Sequence, residues 1–208
     1  MSSPAATPPA RMRGSERREL VLSAAAEVFG ERGYVGATTD AVARAAGVSQ
    51  PYVVRMFGSK AALFEAVLER SLDRLLETFR SAAAEVGRSS PGQQELAACV
   101  GRNYVDLLRD RGILLSLMQA FMLGADPEIG PIARAGWIRV YRTLRDEIGL
   151  TPEAVVDVLS GGMLINTLVG VRLAADWEEP DVRELLETAL PTKVGILREL
   201  ADPDASGT

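Results

Sequence analysis

Residues 39–57, TDAVARAAGVSQPYVVRMF, restrict this chain more than any other stretch. Their spacing is that of two short helices crossing at a sharp angle. Ala43 is small enough for the second helix to approach the first. Gly47, four residues on, takes the strained turn, and Val42, Val48 and Val53 plug the shared core. A third helix is predicted in front of the pair over residues 15–31, with Leu20, Leu22, Ala25, Ala26 and Phe29 on one stripe and Gly33 as its stop signal. Three helices so arranged form a unit whose last member can enter the major groove of DNA.

The rest of the chain reads as helix after helix. Thr38 or Thr39 caps the second helix, Ser49 the third and Ser59 a long fourth over residues 60–86. After a Ser/Pro/Gly loop at residues 87–92, helices are predicted over 93–111, 113–123, 128–148, 152–176 and 181–201, the last split or kinked by Pro191. No coiled-coil heptad or repeat interrupts them. The predicted fold is therefore all-α, a helix-turn-helix head of three helices on a helical-bundle body, about nine helices in total. The expected division is a disordered leader (1–14), the head (15–62), the body (63–201) and a flexible tail (202–208).

The 208-residue chain carries a net charge of -5, which taken whole argues against a nucleic-acid partner. The distribution reverses that. Residues 11–60 hold eight basic and five acidic side chains, so a basic head sits on an acidic body. There is no histidine and one cysteine, Cys99, which excludes a disulfide framework, a Cys/His zinc site and the nucleophile pairs that need histidine. No enzymatic activity, metal or cofactor is expected. Residues 1–10 have neither basic residues nor an apolar core of a signal peptide, and the uncharged run at residues 158–171 is broken by Ser160, Gly161, Gly162, Asn166 and Thr167. No membrane partner and a cytoplasmic location are the expectations.

Over residues 18–67 the sequence resembles the TetR family of transcriptional regulators. The family pattern stands here as Phe29, Gly33-Tyr34, Thr38-Thr39, Val42-Ala43, Ala46-Gly47-Val48-Ser49 and Phe57-Gly58-Ser59-Lys60-Ala61-Ala62-Leu63. The resemblance implies an operator-binding head, and a body that dimerises through its last two helices and holds an inducer. One departure stands out: where the family usually has a phosphate-binding Tyr this chain has Val54, and Tyr52 is the candidate replacement.

On this basis DNA contact is expected from Thr38, Thr39, Ser49, Gln50, Pro51, Tyr52, Arg55, Met56, Ser59 and Lys60. Gln pairs with adenine and Arg with guanine, an apolar side chain meets the thymine methyl, and hydroxyls at helix starts hold phosphate. In the body, Asn103, Met118, Gln119, Phe121, Met122, Trp137, Tyr141, Met163 and Asn166 are either ordinary core or the wall of a mainly apolar ligand pocket. Leu159, Gly162, Leu164, Leu168, Leu186, Val194 and Leu197 serve either packing within the chain or the dimer interface that the resemblance implies. The function expected is a homodimeric, ligand-responsive repressor on double-stranded palindromic operator DNA, released by a small apolar molecule. Alternatives are a DNA-binding regulator whose body takes a protein partner and, remotely, a helical enzyme. A closed, filled body would favour the protein partner; an enclosed cavity with a few convergent polar groups would favour the ligand.

Overall fold

The computed structural model describes residues 14–86, 92–191 and 193–196, and among these it contains nine α-helices and no strand. The head is α1 (Gly14–Gly36), α2 (Thr39–Ala45) and α3 (Gln50–Phe57). The body is α4 (Lys60–Val86), α5 (Gln93–Asp106), α6 (Arg111–Met122), α7 (Ile129–Arg142), α8 (Pro152–Gly170) and α9 (Pro180–Ala189). Apart from Gly14 the expected leader lies outside the described residues, as does the expected tail.

In the head, Val21, Leu22, Ala25, Ala26 and Phe29 of α1 are buried against Val42 of α2, Val53 of α3 and Phe64 of α4. Leu20, expected on the same stripe, is 40% exposed. Phe29, Tyr34 and Phe64 form one aromatic cluster with ring centroids 4.7–6.3 Å apart. At Gly33 the backbone takes φ 68, ψ 169, so the regular helix stops there and one separate turn leads into α2. The α2–α3 turn rests on Gly47 at φ 63, a region costly for any side chain with a Cβ.

Three helices differ from their predictions and a fourth breaks where expected, each for a local reason. The helix expected over 93–111 breaks at Asp110 (φ −100, ψ 75) after a 3-10 turn at Leu107–Arg109; no proline or glycine precedes that break to announce it. The helix expected over 128–148 widens into a π segment at Thr143–Glu147, held by Glu147 on Arg80 and closed by Gly149 at φ 85. The helix expected over 152–176 stops at Gly170, where Arg172 turns left-handed (φ 53) into the 3-10 turn Leu173–Asp176. Pro191 does split the last segment: α9 ends at Ala189 and Leu190 leaves helical geometry.

Two helices join head to body. α4, starting at Lys60, buries Leu63, Phe64, Val67 and Leu68 near the head and Leu72, Leu75, Leu76 and Phe79 deeper in the body. α6 lies directly on α1. A Cβ on Gly112 would come within 2.8 Å of the Ala26 and Glu27 backbone, so only glycine permits this approach. One turn on, Leu115 fills the space over Gly30, and the Gln119 side chain reaches Gly33 at the kink. Between α4 and α6 the buried Ser71 hydroxyl bonds to that of Ser116 at 3.3 Å, and Ser116 donates to the Ile113 carbonyl at 3.0 Å, leaving neither orphaned.

Candidate nucleic-acid interface and body cavity

α2 and α3 present their start points and one polar face to solvent. Thr38 caps α2, its hydroxyl accepting from Ala41 N at 3.1 Å, and Ser59 caps α4 in the same way through Ala62 N at 3.0 Å. Ser49 occupies the N-cap position of α3, but its hydroxyl makes no capping bond, contrary to the expectation. That hydroxyl is exposed. Gln50, Pro51 and Arg55 are exposed beside it, while Tyr52 and Met56 are half-buried. The Gln50 amide donates to the Thr39 hydroxyl at 3.3 Å, bridging the helix pair. The Arg55 guanidinium lies 5.2 Å from the Tyr52 ring centroid, one turn away, which holds both side chains on the same face. Val54, which departs from the family's Tyr, is exposed on α3 as well.

Lys60 requires a correction. Its ammonium donates to the carbonyls of Tyr34 (3.0 Å), Ala37 (3.4 Å) and Val35 (3.5 Å) and lies 4.6 Å from the Tyr34 ring centroid. An ammonium has three donors, and all three are used in clamping the turn between α1 and α2. The expected phosphate contact therefore has no free N–H. Arg18, over the Phe57 ring at 5.1 Å, similarly ties α1 to the end of α3.

The body holds an apolar cavity of about 840 Å³ between α4, α5, α6, α7 and α8. Leu75, Phe79, Leu114, Leu117, Phe121 and Trp137 form much of its wall, with the Phe121 and Trp137 rings edge-to-face at 4.8 Å. Met163 and Asn166 of α8 also line it, so four of the nine expected ligand residues meet here. The other five do not. Asn103, Met118, Gln119 and Met122 face a separate, mixed cleft of about 1250 Å³ against α1, and Met122 is 82% exposed. Tyr141 lines neither and packs under the Arg145 guanidinium. The reason is helical phase: α6 turns Leu114, Leu117 and Phe121 to the cavity, and the residues next to them turn the opposite way to α1. Tyr104, a further large side chain of the body's expected apolar surface, also lines the cavity; its hydroxyl donates to Asn166 Oδ1 at 2.6 Å, and burial pushes its phenol well above the ordinary range.

The expected interface residues also divide. Leu168 and Leu186 are buried within this chain, Val194 packs half-buried on the core, and Leu159 and Gly162 line the cavity, Gly162 against the Tyr104 ring. Leu164 is exposed; Leu197 lies outside the described residues. Around Leu164 runs an unforeseen stripe: Val156 is 57% exposed, Leu164 44%, Val171 64%, and Leu185 of α9 42%. By length and composition α8 is also apolar enough to cross a membrane, which corrects the reading of that run as too interrupted; only 28% of it is buried in this chain.

Comparison with known proteins places these features in context. Residues 21–67 match the family described as bacterial regulatory proteins, tetR family. Over 90 residues the chain is 41% identical to the "HTH-type transcriptional activator FasR" of Mycolicibacterium smegmatis, a match covering 43% of this chain and 40% of that protein. It is 25% identical over 171 residues to the "HTH-type transcriptional regulator BetI" of Stenotrophomonas maltophilia, covering 77% and 86%. Among solved structures, a TetR-like transcriptional regulator from Rhodococcus sp. RHA1 superposes with a TM-score of 0.62 at 20% identity, over 95% of this chain and 100% of that one. That likeness extends the shared all-α fold from the head to the body.

Proposed function

We propose that this chain is a transcriptional regulator of the tetR family, not an enzyme, that binds a palindromic operator as a homodimer and releases it when a small apolar molecule fills the body cavity. The observation that carries the DNA step is the exposed face of α3, where Ser49, Gln50, Tyr52, Arg55 and Met56 stand with Val54 beyond a tight glycine turn. Arg55 reads guanine, Gln50 reads adenine, and Val54 or Met56 meets the thymine methyl. Thr38, Thr39, Ser59 and the Ser49 hydroxyl sit at helix starts suited to phosphate.

The dimer supplies what one head cannot. The α8 stripe with Leu185 is a mainly apolar set of side chains left exposed among the described residues, and a second copy laid on it would hide it in a bundle of α8 and α9 pairs. Two heads would then address successive major grooves roughly 34–36 Å apart.

The cavity, open at its mouth, supports a small molecule over a protein partner for the body, because it is lined by helices that also touch the head. Leu75 and Phe79 belong to α4, which begins at the α1–α2 clamp; Leu114, Leu117 and Phe121 belong to α6, whose other face lies on α1. A ligand that spreads these helices moves the head as a rigid unit. A bacterial cytoplasm suits both operator and buried thiol, Cys99 donating to the Ala82 carbonyl.

Selection of bound duplexes from random DNA tests the reading. A palindrome with half-sites about one helical turn apart supports it, and recovery of no preferred sequence contradicts it. A reporter driven by that site separates repression from activation, the role the FasR relative's name carries.

A further inference from the structure

The cavity wall is apolar with few polar groups, and most of those are already committed. Gln93 at the rim is used at both ends, donating to the Gly149 carbonyl and accepting from Thr151 N. Lys193 donates to Asp106 and to the Arg102 carbonyl. Thr151 caps α8 through Ala154 N. At the mouth the charges of Arg102 and Lys193 are offset by those of Glu153 and Asp157, so no net charge faces the interior.

Asn166 differs. It is 6% exposed, lines the cavity, and has its Oδ1 occupied by the Tyr104 hydroxyl, while its Nδ2 donates to no group among the described residues. That arrangement leaves two N–H donors facing an apolar space. These donors are open to the cavity, so an acceptor that enters it can meet them while the rest of the molecule lies on the apolar wall. Resting on the reading of the body as a ligand pocket, we infer that the effector is a neutral, mainly apolar molecule carrying a carbonyl-type hydrogen-bond acceptor that Asn166 Nδ2 engages, with Tyr104 fixing the carboxamide's orientation. A carboxylate would also accept that bond, but Glu153 and Asp157 on the lining oppose its entry as Arg102 favours it, and Lys193 is already held by Asp106. An ammonium would set donor against donor.

Three probes of nearly one shape separate these chemistries: benzylacetone, butylbenzene, in which a methylene replaces the carbonyl, and hydrocinnamate, in which a carboxylate replaces the methyl ketone. Each is titrated into the full chain carrying Trp177→Phe, so that Trp137 in the cavity wall reports binding. The expected result is that benzylacetone binds more tightly than hydrocinnamate. In Asn166→Leu the affinity ratio of ketone to hydrocarbon should fall roughly threefold to tenfold, the worth of one net hydrogen bond. Tyr104→Phe keeps the ring and frees the carboxamide to turn, and should lower the same ratio less. A folded variant of either kind that leaves the ratio unchanged, or tighter binding of hydrocinnamate, overturns the inference. If none of the three probes alters Trp137 in a protein that melts normally, the ligand-pocket reading itself falls, and the inference with it.

Discussion

Arg55 and Lys60 were read from the sequence as two cations at one DNA surface, and their surroundings give them different work. Arg55 is exposed, steadied by the Tyr52 ring alone, whereas Lys60 is spent on three carbonyls of the α1–α2 turn. Arg55→Ala is therefore expected to cost about 1–3 kcal/mol of operator affinity and to relax preference at one base pair, measured by fluorescence anisotropy on single-base operator variants. Lys60→Ala should weaken every sequence alike by loosening the turn, yet leave the slope of log affinity against log salt unchanged. A slope shallower by about one would restore Lys60 to a phosphate. The caps at Thr38 and Ser59 were legible because a hydroxyl at a helix start has few alternatives. Lys60 was not, because its partners are backbone carbonyls far away in sequence, and carbonyls leave no trace in residue identity.

At the scale of the element, helix positions were legible wherever apolar period and turn residues agreed, as for α2, α3 and α4. They failed where backbone geometry breaks a helix without a signal residue, as at Asp110, and the π widening at Thr143–Glu147 left no periodic trace either. The split of cavity residues along α6 failed for a related reason: periodicity shows that a helix has an apolar face, not which neighbour lies on it. Two contacts of α1 give sharp expectations. Gly112→Ala would drive a methyl into the Ala26–Glu27 backbone, so α6 must retreat, at a cost of about 1–3 kcal/mol by denaturant unfolding; an unchanged midpoint would contradict the packing of α6 on α1. Glu19 takes hydrogen bonds from Arg70, which hold its carboxyl below the ordinary value and tie α1 to α4. A carboxyl with a depressed folded pKa adds stability above its unfolded value, and that stability disappears as pH falls through the folded value. Glu19→Gln should accordingly destabilise the protein at about pH 7, and the gap to wild type should narrow by about pH 3 as the carboxyl takes up its proton. A gap of equal size at both pH values would rule out this ion pair as the cause.

For the whole molecule, the all-α course of the chain and the motif at residues 21–67 could be read from the sequence, but which apolar residues stay exposed could not. Buried Leu168 and Leu186 and exposed Leu164, Val156 and Val171 are the same kind of residue in sequence; only the third dimension sorts them. Leu164→Glu should give a soluble monomer by sedimentation, because a charge at the centre of the stripe is paired with nothing once a second copy closes over it. A wild-type monomer at micromolar concentration would remove the interface altogether. In the proposed dimer, the head, cavity and helices α4 and α6 of each copy would form a coupled system, and coupling is reciprocal: whatever factor the effector takes from DNA affinity, DNA must take from effector affinity. The most direct measurement is a benzylacetone titration, read by Trp137 in the Trp177→Phe protein, with and without saturating selected operator. An affinity weakened by DNA, matched by an equal loss of DNA affinity at saturating benzylacetone, is the expected result. Binding in the cavity with the same affinity in both conditions would contradict it.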